Sequence, residues 1–594
     1  MLEHKKIRAD FCVVGGGMAG LSAAIAAARH GLSTVLMQER PVLGGNASSE
    51  IRMWLCGARG EDNRETGLVE EIALENLYRN PTKNYYIWDT VLYDFARREK
   101  NLTLLLNCTC MDARVEEGDY ADGRKVRIDG VTGYQMTTQT FVEVEADFFA
   151  DCSGDSILGP LTGAEYRTGR ESAAEFGEET YVKEPDSCTM GMSCLLQGRE
   201  TGQPVRFIPP EWSSRLCGDD FAERLGNPRD TAENFWYLEL GGDRDSIKDT
   251  EAVASELIPL ALGTWDYIKN SKRFDCETWD LDFLGFLPGK RESRRMMGEY
   301  LVTQRDIVAG RDYPDTVAYG GWPLDDHFPG GFFHKGIPNT NISTPAPYPL
   351  PYRALYSRNV ENLFFAGRNI SVTHFALSSV RVMGTCALFG QAVGTAAALA
   401  VKKQLTPHGV YQKAIKELQQ TLLADDIFLP GAAREISNLC TNARLIGGSD
   451  RLRDGMDRGH RRLYGGRKCG DIVKNGSSVS YCLEEESYVE SVHLVFDSDL
   501  NRTTLSGDSI ERNYNMRANI LLDSPQTSLP KTLCRCFVLK GGTREGMREL
   551  LRVEDNRKRA WEIPVRCRLK SLELTIMENW GDSEETAVFS FDFR

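Results

Sequence analysis

The chain reads as an α/β protein: a Rossmann-like dinucleotide-binding domain that carries an α+β insertion and is followed by an all-β region. Three observations predict this. A strand, a glycine loop, a helix and a second strand fill residues 9–39. A second stretch rich in Gly and Ala, at 362–399, has the makings of a strand and helix of the same domain. Beyond about 455 the pattern changes to short alternating runs separated by Gly, Asn, Asp and Pro.

The elements follow in order. Residues 9–14 form a short apolar strand, and Gly15-Gly16-Gly17-Met18-Ala19-Gly20 comes at once. Residues 21–30 are Ala-rich and helical until Gly31, and 32–37 form a second apolar strand that runs on to Glu39 and Arg40. A lone Gly-x-Gly-x-x-Gly is weak evidence, but the full context of strand, loop, helix, strand and acid is strong. Gly15 permits the tight turn, Gly17 lets a pyrophosphate reach the backbone, and Gly20 lets helix pack on strand. The phosphates would sit at the helix N-terminus, where free N–H groups favour anions. Glu39 is placed to accept from ribose hydroxyls.

A second glycine pair follows in Leu43-Gly44-Gly45-Asn46-Ala47-Ser48-Ser49-Glu50. Helices are expected at 66–79 and 86–100, and strands at 102–110, 125–131 and 141–149. The last strand runs into Asp151-Cys152-Ser153-Gly154. Residues 160–350 are less regular, with strands at 188–197 and 234–240, a helix at 246–270 and the basic run Lys290-Arg291-Glu292-Ser293-Arg294-Arg295. A buried strand at 362–366 then leads into Gly367-Arg368-Asn369, a helix at 380–403 and an amphipathic helix at 411–423. Strands at 487–496, 518–522, 532–538 and 571–577 predict a β-sandwich or jelly roll. The resulting division is 5–160 and 350–440 for the nucleotide domain, 161–349 for an inserted substrate domain, and 455–594 for the sandwich.

Composition narrows the function. The 594 residues carry 71 − 85 = −14 formal charges, which argues against a general nucleic-acid binder. No apolar run in the sequence approaches the ~20 residues of a membrane helix, and the polar first ten residues do not resemble a leader, so a cytoplasmic location is expected. Sixteen scattered cysteines include no Cys-x-x-Cys, so neither a zinc site nor an iron–sulfur cluster is expected, and no metal is assigned.

Together these motifs resemble the FAD-dependent oxidoreductases that share a flavin domain with fumarate reductases and with the flavin-binding subunit of heterodisulfide reductase. The resemblance covers about 9–405 and rests on Gly15-x-Gly17-x-x-Gly20, on 43–52, on Glu292-Ser293-Arg294-Arg295, on Gly321-Trp322-Pro323-Leu324-Asp325-Asp326-His327, on Pro351-Tyr352-Arg353 and on 362–399. It implies a FAD-binding domain of the glutathione-reductase/fumarate-reductase type. The implied FAD-binding residues are Gly15, Gly17, Met18, Ala19, Gly20, Glu39, Arg40, Gly44, Gly45, Asn46, Ser48, Ser49, Asp151, Ser153, Gly154, Gly367, Arg368, Met383, Gly384 and Thr385. The start of the helix at 380–403 would aim positive potential at the flavin. Relatives that bind flavin covalently use a His near the second glycine pair; here the stretch is Asn46-Ala47-Ser48-Ser49, so FAD is expected to be non-covalent.

Flavin dehydrogenation needs a base for the substrate proton. His374 is the first candidate and His327, beside Asp325 and Asp326, the second. Arg381, Arg294 and Arg52 are candidates for binding a substrate anion or stabilising reduced flavin. The expected partners are a small polar metabolite, with a carbohydrate or polyol as the guess, and an external electron acceptor; self-association is open. Two rivals remain at this stage: an electron-transfer component of the heterodisulfide reductase type, and a flavin-holding, glycan-binding scaffold. Because every flavin motif lies upstream of 455, truncation there is expected to leave FAD bound.

Overall fold

Strand β1 (Glu3–Val14), apolar in its second half, the Ala-rich helix α1 (Met18–Arg29) and β2 (Thr34–Met37) form the expected opening unit. The computed structural model describes residues 2–120, 122–221, 235–459, 463, 469–506, 509–512, 516, 522 and 526–594. Helices α2 (Leu68–Arg79) and α3 (Tyr85–Arg97) follow, then β3 (Leu102–Leu105), β4 (Cys108–Glu117), β5 (Val126–Gln135) and β6 (Thr140–Asp151). The sheet order is β3-β2-β1-β6-β5-β4. Strands β3, β2, β1 and β6 run parallel, while β4, β5 and β6 form an antiparallel wing. The return strand Leu363–Phe365 joins the end of β6 in parallel. β1 is longer than its apolar run suggests, because the polar residues 3–8 pair with 140–145 of β6.

The glycine-rich helix Met383–Lys403 packs on α1. A Cβ at Gly390 would lie 1.9 Å from the Ala19 carbonyl oxygen, and one at Gly394 would lie 2.1 Å from that of Ala23. Only glycine at these positions lets the two helices come so close. The helix is long and apolar enough to cross a membrane, but 94% of that apolar window is buried here in the core. The helix expected at 380–403 is broken: one helix spans His374–Val380, Val382 is extended, and the next starts at Met383.

The stretch between β6 and the return strand contains several small antiparallel sheets. One has three strands, with Met192–Ser193 between Glu239–Leu240 and Gly289–Lys290. The helix Thr250–Asn270 packs beside it through Val253, Leu257 and Trp265. The expected strand at 188–197 is interrupted, and of the one at 234–240 only Glu239–Leu240 is a strand, Asn234 lying outside the described residues. The C-terminal region forms a seven-stranded antiparallel sheet with its own core, which includes Val492, Leu494, Phe537, Leu572 and Phe591. The strand expected at 518–522 lies, except for Leu522, outside the described residues.

That region is not a free appendage. Leu74 of α2 belongs to its core. The buried carboxylate of Glu70 on α2 accepts from Ser498 Oγ at 2.8 Å and from Arg502. Arg559 Nε reaches Asp426 Oδ1 at 3.1 Å, and Arg458 donates to the Asp62 carbonyl and to Thr66 Oγ1. The sequence-based expectation for truncation therefore changes. Ending the chain at 454 strips buried Glu70 and Asp426 of their cations and bares Leu74. Breaking one buried pair costs about 3–5 kcal/mol, so the shortened protein is expected to be insoluble or to melt far below the full chain. A soluble truncation with unchanged melting temperature and full FAD content would sink this expectation.

Candidate active site

The turn after β1 is shaped by backbone constraints. Gly15 adopts φ +102°, and a Cβ there would lie 2.4 Å from the Cys152 carbonyl oxygen. Gln38, at the end of β2, accepts from the Gly16 N–H at 2.7 Å and holds the loop. The second glycine pair is tied to the first, with Gly44 N–H donating to the Gly16 carbonyl at 2.9 Å. Between them starts a cavity of about 560 Å3. Its near end is lined by Gly15, Gly17, Met18, Ala19, Glu39, Arg40, Gly44, Gly45 and Asn46. Ser153, Gly154, Gly367, Arg368 and Met383 line its middle. Arg294 lines it too, its NH1 on the Asp155 carbonyl at 3.1 Å.

Several expected FAD contacts do not line the cavity but shape it from behind. A Cβ on Gly20 would lie 1.8 Å from the Gly15 carbonyl oxygen. Ser48 Oγ donates to the Gly45 carbonyl, and the Ser49 N–H to Asp89. Buried Asp151 accepts from the Ser153 N–H and Oγ and from the Leu158 N–H, which fixes the Ser153-Gly154 turn. The Gly384 N–H is taken by the Cys56 carbonyl, and Thr385 Oγ1 reaches Glu65. Arg52 is bound to Asp282 at 2.8 Å and stacked on Phe283, so it is not presented to a substrate.

The cavity suits a dinucleotide. It begins at the start of α1, with no side chain on Gly17 to obstruct it. Buried Arg368 Nε and Arg381 Nε, on its wall, have no hydrogen-bond partner among the described residues. Asp155 gathers Lys290 Nζ at 2.7 Å, Ser293 Oγ at 2.8 Å and Arg368 NH2 at 2.9 Å. Burial alone would raise the Asp155 carboxyl, but Arg368 and Lys290 outweigh it and hold it below its usual value. Lys290 and Ser293 belong to the basic run the sequence singled out, but only Arg368 of this group was assigned to the cofactor; together they join the second glycine pair to the insertion, and Asn46 Nδ2 donates to the Lys290 carbonyl at 3.0 Å.

The lining also includes Trp54, Trp236, Trp322, Arg291, Asp325, His327, Asn339, Asn341 and Arg381. Alternation along residues 325–327 places Asp325 and His327 on the cavity and Asp326 behind it. His327 Nδ1 lies 2.6 Å from Glu239 Oε2, and Nε2 lies 3.5 Å from Asp325 Oδ2. Asp325 is also engaged by Trp322 Nε1 at 3.2 Å, by Arg381 NH2 at 3.1 Å and by Asn339. Burial would raise Asp325, but His327, Arg381 and Asn339 around it hold it well below the usual carboxylate range.

The two histidines thus separate. His374 does not line the cavity; it is 1% exposed, with Nδ1 2.8 Å from Glu292 and Nε2 2.9 Å from Asp326. Burial alone would lower it, but the two carboxylates push it up to about 10. His374 is walled off from the cavity, with each nitrogen on a fully buried carboxylate, so it is not placed to meet a substrate, whereas His327 lines the cavity. The expectation of His374 as first-choice base is corrected on these grounds.

Comparison with known proteins adds the following. Among curated proteins none matches the chain. Solved structures that resemble it include a geranylgeranyl bacteriochlorophyll reductase-like protein from Thermoplasma acidophilum, at 12% identity over 71% of this chain and 86% of that one, TM-score 0.32. E. coli quinol fumarate reductase FrdA matches at 13% identity over 71% of this chain and 75% of its own, TM-score 0.27. A family 32 carbohydrate-binding module of Streptococcus pneumoniae EndoD matches at 12% identity over 27% of this chain and 99% of its own, TM-score 0.18. At these values none of the three bears on substrate or mechanism. The family described as FAD dependent oxidoreductase matches residues 10–422, the span that holds both glycine pairs and the glycine-rich helix, and the chain belongs to that family.

Proposed function

We propose that the protein is a FAD-dependent dehydrogenase of a small polyhydroxylated metabolite, a carbohydrate or polyol, with His327 as the base. The observation that carries this reading is the part of the cavity wall around His327 and Asp325. Three tryptophans supply apolar faces there, and Asp325, Asn339, Asn341 and His327 supply convergent polar groups. A pocket that is mostly apolar, with a few well-placed polar groups, is how small ligands are oriented. Bound FAD supplies a two-electron acceptor that takes hydride at N5.

The chain's own residues do the rest. Glu39 and the start of α1 hold the nucleotide end, and Arg368 and Met383 the middle. Asn339 and Asp325 orient substrate hydroxyls, and His327 Nε2 takes the proton of the hydroxyl whose carbon is oxidised. Arg381 keeps Asp325 ionised and in place. On this reading the segment 161–349 is the substrate domain, and the C-terminal β-region, read as a sandwich, braces α2.

The test is an anaerobic screen that follows flavin bleaching with myo-inositol, sorbitol, glucose, galactose and gluconate. Bleaching by at least one is expected. A protein that holds FAD and is bleached by none of them, but accepts electrons from a protein donor, would favour the electron-transfer reading. Acid or heat is also expected to release FAD into the supernatant. Flavin that stays with the precipitated chain would refute non-covalent binding.

A further inference from the structure

We propose that Glu239 is the positioning residue of this site: it holds the Nδ1 proton of His327 and so presents Nε2 to the cavity. The inference rests on the reading of His327 as base and adds what orients it.

Glu239 lies on a strand of two residues, paired with Met192–Ser193, which in turn pairs with Gly289–Lys290. That small sheet brings Glu239 to the same wall as Lys290 and Arg291. Its carboxylate is buried, and Oε2 sits 2.6 Å from His327 Nδ1 and 3.4 Å from Arg291 NH1. Burial would raise Glu239, but Arg291 and His327 hold it below the usual carboxylate range. Arg291 is fixed in turn by the carbonyls of Gly191, at 3.1 Å, and Trp236, at 3.0 Å. The space for Glu239 is built in: a Cβ on Gly191 would lie 2.8 Å from Glu239 Cγ. Trp236 meets the His327 ring edge-on at 5.3 Å and limits its rotation.

A carboxylate can only accept, so a bond this short to Nδ1 means that Nδ1 carries the proton. Whenever the ring carries a single proton, its lone pair is then on Nε2, the nitrogen on the Asp325 side. When Nε2 takes a proton, Glu239 faces the positive ring that results. The same logic makes the buried carboxylate of a Ser-His-Asp triad set the tautomer of its histidine.

The test reads the tautomer directly and needs no substrate. The full-length FAD-loaded protein is labelled with 15N-histidine, and ring nitrogen–proton correlations are recorded at alkaline pH; His327→Gln identifies the His327 signals. The wild type is expected to show the proton on Nδ1. Glu239→Leu, which offers Nδ1 no acceptor, is expected to lose that signal and gain one from protonated Nε2. Glu239→Asp, which can only accept, is expected to keep the wild-type tautomer and serves if the Leu variant fails to fold. Folded Glu239→Leu with the wild-type tautomer, or Nε2-protonated wild type, would overturn the proposal. If the tautomer responds as expected but His327→Ala is reduced at the wild-type rate, the base reading fails and the positioning role falls with it. If His327→Ala is slow and the tautomer does not respond, only the positioning role is lost.

Discussion

Replacing His327 by Ala is expected to slow anaerobic flavin reduction by on the order of 10²–10⁴-fold, the usual contribution of a general base. The compound that bleaches the wild-type flavin in the polyol and sugar screen serves as substrate. FAD content and melting temperature should change little by comparison, because Glu239 and Asp325 keep Arg291 and Arg381 as cationic partners when the ring is removed. His327→Asn keeps a polar group of similar reach but no basicity, and should be as slow as Ala. Stopped-flow reduction of both variants, with flavin measured alongside, decides the matter. Wild-type rates in both would remove His327 from the mechanism.

His374→Ala is expected to fail in a different way. It leaves Glu292 and Asp326, both fully buried, without the cation between them. Removing one partner of a buried ion pair costs about 3–5 kcal/mol, so the variant should be far less stable or insoluble. The pH dependence has a definite sign. The folded ring sits at about 10 against an ordinary value of 6.5, so its contribution is complete below about 6.5 and is lost as pH rises through 10. Urea midpoints of the wild type should therefore fall between pH 7 and pH 10. His374→Asn, already weaker at pH 7, should fall less over that range. Parallel pH curves for the two proteins would show that the ring is not charged in the folded state.

How much of this was legible depends on how local the signals are. The opening unit could be read because each of its constraints lies within a few residues: Gly15 at a left-handed turn, Gly20 against the loop, Glu39 at a strand end. β1 was read short because residues 3–8 are polar and show their role only through pairing with β6, more than a hundred residues on. The break at Val382 carries no Gly or Pro to announce it, and it brings Arg381 and Met383 to the cavity. The two histidines could not be ranked from sequence. The carboxylates that engage His374 are 82 and 48 residues away, and Glu239 is 88 residues from His327 on a strand too short to leave a periodic trace.

The bracing of α2 also bears on how the protein is made. Chains leave the ribosome N-terminal end first, and domains tend to fold as they emerge. Both glycine loops and the glycine-rich helix are out before Arg502 and Arg559 have been added. Until then α2 shows water an apolar side chain, Leu74, and a carboxylate, Glu70, that the finished protein buries. The flavin fold is thus left incomplete on one face during translation, exposed to aggregation and to chaperone capture, until the late strands close over it.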